Sequence, residues 1–137
     1  MIGKKFLTGG HAIFTVSNPA GEYHTYKVSA PADQNESNPI WFVSKLIGPN
    51  NTDDYAYLGI LTSKGEVRWT DKSKFVPNSQ AFKVAKWAIE RTFREDARPL
   101  AEGYKISHIG KCGVCGRPLT TPESIECGIG PICLEKL

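Results

Sequence analysis

Short bursts of alternating apolar and polar residues fill the first half of the chain, and a single stretch in the second half repeats at three- and four-residue intervals. The alternation between residues 10 and 77 predicts an antiparallel sheet, because side chains in a strand point to opposite faces in turn. Ala12-Ile13-Phe14-Thr15-Val16 and Tyr23-His24-Thr25-Tyr26-Lys27-Val28 flank the connection Asn18-Pro19-Ala20-Gly21-Glu22, the pattern of a hairpin. Ile40 to Ile47 reads as a further strand, although Phe42, Lys45 and Leu46 also fit a helical period and leave a short helix as the alternative. After the turn-rich stretch 48–54, Tyr55 to Leu61 and Gly65 to Trp69 form a second hairpin around Thr62-Ser63-Lys64.

Ser79 to Arg94 carries the helical pattern. Ala81, Phe82, Ala85, Ala88, Ile89 and Phe93 make one apolar stripe, with Lys83, Lys86, Glu90 and Arg94 on the other side. Asn78 or Ser79 can cap the first turn by accepting a backbone N–H. Pro99 and Gly103 close the helical region, and Tyr104 to Ile109 reads as a last strand. The expected fold is therefore α+β: an antiparallel sheet with one main helix packed on it over residues 1–109, followed by a small module over 110–137.

That module holds every cysteine of the chain: Cys112, Cys115, Cys127 and Cys133. The two-residue gap of the first pair is that of a zinc knuckle, in which a tight turn aims two thiolates at one ion. Four soft ligands in so short a segment predict a closed, structural Zn(2+) site in a treble-clef-like or ribbon-like module. A redox dithiol needs a long helix beginning at the pair, and Arg117-Pro118-Leu119-Thr120-Thr121-Pro122 interrupts one. Disulfides suit secreted chains, and the start of this sequence leads into no apolar signal core. Thr121 is placed to cap a single helical turn at Pro122-Glu123-Ser124, and Pro131 to open a short terminal helix after Gly128-Ile129-Gly130. Cys133 then falls in a first turn, where free N–H groups are expected to favour its thiolate. No Gly-Lys-Ser/Thr follows the glycines, so a phosphate loop is not indicated.

Charge narrows the choice of partner. The formal charge is +3, and four thiolates with one divalent metal would bring it to about +1. Basic residues are spread along the chain rather than gathered in a block. No run approaches the ~18 apolar residues of a membrane span, so no membrane partner is expected, and cysteines read as metal ligands with no apolar signal core point to a reducing, cytoplasmic setting.

The run Gly110-Lys111-Cys112-Gly113-Val114-Cys115-Gly116-Arg117-Pro118-Leu119-Thr120, continued by Pro122-Glu123-Ser124-Ile125 and Gly128-Ile129-Gly130-Pro131-Ile132-Cys133, resembles an uncharacterised family of small zinc-finger-like domains found mostly in phage and mobile-element proteins. The resemblance covers about the last 30 residues. It implies zinc held by Cys112, Cys115 and Cys133, and a protein of viral or mobile-element origin working in a bacterial host cell. It also implies a second candidate for the fourth ligand: a histidine commonly precedes the first cysteine, and His108 matches it in place of Cys127.

An enzyme is not expected. His11 and His24 lie in predicted strands among aromatic residues, Asp53 and Asp54 lie in a turn, and no Ser/His/Asp order, paired acids on one helix face or HExxH run is present. No small-molecule substrate is expected either. Two binding functions remain. The favoured reading is an accessory protein that binds a host or viral protein, with Trp41 and Trp87 as aromatic anchors. The alternative is a zinc-finger protein that binds DNA or RNA through Lys111, Arg117 and Arg68, with Trp69, Tyr55 and Tyr57 stacking on bases if they share an exposed sheet face.

Overall fold

The computed structural model describes residues 2–50 and 53–137, so Met1, and Asn51 and Thr52 of the turn expected over 48–54, lie outside the described residues. The fold is α+β. Its strands are β1 (His11–Ser17), β2 (Tyr23–Ser29), β3 (Ile40–Leu46), β4 (Tyr55–Thr62), β5 (Val67–Trp69) and β6 (Lys105–His108). They form one antiparallel sheet in the order β5-β4-β3-β2-β1-β6. The first five strands follow one another as a meander. The chain then crosses back to place β6 on the free edge of β1.

The segment at Ile40 is a strand rather than a short helix, paired on both sides with β2 and β4. A four-residue helix, α1 (Lys4–Leu7), precedes the sheet and was not expected. One turn is too short to display a period, yet its Phe6 and Leu7 are fully buried. The main helix, α2 (Gln80–Phe93), starts at Ser79, whose hydroxyl accepts the Phe82 N–H. Its apolar stripe buries Ala81, Phe82, Ala85, Ala88 and Ile89.

Register determines which side chains meet α2. Phe14 lies opposite Tyr26, and Ala12 opposite Val28, which in turn faces Val43. All are buried, and the Tyr26 hydroxyl donates to the Ala81 carbonyl at 2.7 Å, so this face is the one beneath α2. The other face carries Ile13, Thr15, Lys27, Phe42, Ser44, Tyr55, Tyr57 and Ile60, matched strand to strand by the same register.

Tyr57 and Ile60 share that face only because of an irregularity. Gly59 faces Val43 while Tyr57 faces Ser44, which leaves Leu58 as an extra residue in β4. Leu58 turns inward and is fully buried. Gly59 is required there, since a Cβ would lie 2.4 Å from the Arg68 carbonyl oxygen of β5.

Candidate metal centre

After β6 the chain turns back on itself through a bridge between Lys111 and Pro118. Within this turn the Cys112 N–H bonds to the Arg117 carbonyl at 2.8 Å, and the Gly116 N–H to the Cys112 carbonyl at 2.9 Å. Gly116 takes a φ of 78°, a left-handed value that a Cβ disfavours. The turn is thus a knuckle, and the Val114 N–H points at Cys112 Sγ from 3.4 Å.

Two short helices complete the module. In α3 (Pro122–Cys127) the Thr121 hydroxyl accepts the Ser124 N–H, Pro122 fills the first turn, and Gly128 ends the helix with a φ of 75°. In α4 (Pro131–Glu135), Gly130 is the N-cap and Pro131 opens the first turn. The Gly130 N–H reaches Cys112 Sγ at 3.2 Å, and Cys133 in the first turn of α4 comes round to face the knuckle.

Cys112, Cys115 and Cys133 thereby bring their Sγ atoms within 4.8 Å of one another. Tetrahedral coordination with Zn–S bonds of ~2.3 Å separates neighbouring sulfurs by about 3.8 Å. The trio is close enough to hold one metal ion through its thiolates. Cys112 is buried, Cys133 half-buried and Cys115 exposed.

Neither candidate for a fourth ligand falls within this 4.8 Å group. Cys127 Sγ faces the carbonyl oxygens of Ile129 at 3.5 Å and Ser124 at 4.0 Å, outside the trio. Both ring nitrogens of His108 are engaged by backbone. Nδ1 accepts the Gly110 N–H at 2.8 Å, which leaves Nε2 protonated to donate to the Ile125 carbonyl at 2.6 Å. His108 therefore ties β6 to α3 through both of its ring nitrogens.

Electrostatics distinguish the members of the trio from one another. Burial pushes the Cys112 thiol up, but N–H groups from Gly130, Cys115 and Val114 outweigh it and bring Cys112 down to about 7. Cys133 is pushed up to about 11 by the Cys115 thiol, by burial and by Cys112. The thiolate is favoured on Cys112 and not on Cys133, where hydrogen bonding to Cys115, burial and, after these, repulsion by Cys112 keep the thiol protonated. A divalent cation removes that repulsion.

The module is held against the sheet by residues the sequence did not mark for this work. The His11 N–H bonds to the Gly113 carbonyl at 2.8 Å, and its ring Nδ1 lies 2.6 Å from the Val114 carbonyl. Cys112 and Ile129 join the same buried cluster as Phe6, Phe14 and Ile89. A histidine at the start of a strand gives no local sign of such a role, since its partner lies about a hundred residues away.

The candidate nucleic-acid residues are dispersed. Tyr55 and Tyr57 stand on the face away from α2, but Trp69 pairs with Gly59 on the opposite face and donates its Nε1–H to the Phe75 carbonyl at 2.8 Å. Arg68 sits at the β5 edge in an exposed ion pair with Glu66, whereas Lys111 and Arg117 belong to the knuckle. Of the two expected protein anchors, Trp41 turns inward and donates to the Thr8 carbonyl at 3.2 Å. Trp87 stays 40% exposed and meets Tyr104 edge to face.

An α+β sheet with a three-cysteine, metal-compatible module on its edge is the class that fold and site define. The family described as "Family of unknown function (DUF6011)" matches residues 107–137, the module alone. No curated protein and no solved structure matches the chain. Among the described residues, no helix is long and apolar enough to cross a membrane.

Proposed function

We propose that this protein is a non-enzymatic accessory protein of phage or mobile-element origin, working in the cytoplasm of a bacterial host, that binds a host or viral protein through the open face of its sheet. In this reading Zn(2+) is the ion of the cysteine trio and its role is structural. A borderline-soft cation with no geometric demand of its own suits three thiolates gathered within 4.8 Å. The phage or mobile-element origin rests on the resemblance of residues 110–133.

The observation that carries the reading is the composition of the face away from α2. Ile13 of β1, Phe42 of β3 and Tyr55, Tyr57 and Ile60 of β4 give this face partly exposed apolar members, with the Phe42 and Tyr57 rings in edge contact. Its cations, Lys27, Lys105 and Arg68, are separated by strands rather than aligned. A mixed apolar surface with aromatic members suits a protein contact. A phosphate-binding surface needs several converging cations.

One feature favours nucleic acid: Lys27 lies over the Tyr55 ring, which sets a cation beside an aromatic platform. Affinity capture from host extract, repeated after nuclease treatment and with Phe42→Asp/Ile60→Asp, separates the two readings. A stoichiometric protein retained after digestion and lost in the double variant supports the first. Binding to DNA or RNA at physiological salt that is weakened by changing Lys111, Arg117 and Arg68 selects the second.

A further inference from the structure

The three cysteines line a pocket of about 280 Å³ together with Arg117, Ile132 and Lys136. Cys127 is not among its lining residues, and its sulfur is occupied with the carbonyls of Ser124 and Ile129. His108 has both nitrogens committed to backbone. Among the described residues no histidine, aspartate or glutamate joins the trio. Three donors of the chain thus share the lining of one cavity with two cationic side chains, both exposed.

From this geometry we infer that the trio takes its fourth ligand from outside the chain, as the thiolate of an acidic thiol entering through the pocket. The inference rests on the zinc reading of the trio. A thiolate matches the softness of the other three donors. Three chain thiolates already outweigh the charge of a divalent ion, and a fourth adds a further negative charge, which Arg117 and Lys136 in the pocket lining offset. The same two side chains select a thiol that carries a second anionic group, whether a small molecule or a cysteine beside acidic residues on a partner protein. On binding, the thiol releases its proton to the buffer and its sulfur forms the new bond to the ion.

Cobalt(II) replaces zinc as a probe, because its visible spectrum responds to the number of bound sulfurs. The full-length reduced protein and its C127A and H108A variants are loaded with cobalt(II) without added thiol. Each is titrated with 2-mercaptoethanesulfonate, with the cationic thiol cysteamine, and with a short peptide in which one cysteine is flanked by aspartates. The expected result is that C127A and H108A bind cobalt(II) like the parent. All three then show a saturable rise in thiolate-to-cobalt absorption, with the acidic thiol binding about five- to tenfold more tightly than cysteamine. Replacing Arg117 and Lys136 with alanine should remove that preference and keep the cobalt. Tighter binding of the peptide identifies a partner cysteine as the source, and tighter binding of the sulfonate identifies a small thiol. Four chain sulfurs on cobalt in the parent, lost in C127A, with no response to any thiol, would overturn the inference and leave the metal reading standing. Failure to bind cobalt at all would overturn both.

Discussion

Phe6 and Gly128 fit together without room for another atom: a Cβ on Gly128 would lie 2.6 Å from Phe6 Cδ1. A Cβ on Gly113 would lie equally close to the same ring atom. The aromatic ring of a one-turn helix near the start of the chain therefore sits in a notch made by two glycines of the metal module. Gly128 is doubly constrained, because its φ of 75° also ends α3.

Gly128→Ala should lower stability by about 2–4 kcal/mol, the sum of a left-handed alanine and an overpacked contact. Gly21→Ala provides the control, since its φ is 83° but nothing lies within 4 Å of the added methyl. It should cost only about 1–2 kcal/mol. Denaturant unfolding of the metal-loaded variants measures the difference, and equal losses would show that the Phe6 contact contributes nothing.

The shared packing also shapes the response to metal removal. Chelation should expose the amides of residues 110–137, and with them α1 and the start of β1, because His11 and Phe6 lean on the knuckle. The β3–β4 pair and α2 should keep their protection. Amide hydrogen exchange with and without chelator reads this directly, and intact protection of residues 4–12 after metal loss would contradict it.

Cys112→Ser, Cys115→Ser and Cys133→Ser should each abolish retention of the metal, whereas His108→Ala should retain it at unchanged stoichiometry. The histidine variant should still lose about 1–2 kcal/mol, because the Ile125 carbonyl and the Gly110 N–H lose their shared partner. Elemental analysis after gel filtration, paired with thermal unfolding, checks both halves.

The thiols set a pH dependence of definite sign. In metal-free reduced protein, Cys112 at about 7 lies below its ordinary value of 9.0, so its thiolate contributes stability that is fully present above pH 9 and is lost as pH falls through 7. Cys133 at about 11 lies above its ordinary value, so its contribution is present below pH 9 and is lost as pH rises through 11. Thiolate absorbance should show one group titrating near pH 7 and another still protonated above pH 9. Metal loading should release protons and weaken as the solution is acidified below about pH 7. A single titration near pH 9 would contradict the arrangement.

What was legible in the sequence was whatever neighbouring residues decide among themselves. The stripe from Ala81 to Phe93 and the cap at Ser79 specify α2 because helical contacts span three or four positions. The hairpins, the knuckle at Cys112 and Cys115, and the starts of α3 and α4 at Thr121-Pro122 and Gly130-Pro131 are local in the same sense. Other features depended on tertiary structure. Alternation in β4 suggests opposite faces for Tyr57 and Ile60, and only pairing with β3 creates the bulge that puts them together. Position alone places His108 within reach of a metal, but β6 pairs with β1, and the ring then bonds to the Ile125 carbonyl of α3. Cys127 stands in the same short segment as the other cysteines, yet the end of α3 turns its sulfur to the Ser124 and Ile129 carbonyls. Spacing along the chain determined which atoms are able to serve as ligands. Which of them converge was decided by hydrogen bonds and packing between elements far apart in sequence, and these leave no pattern in any short window of residues.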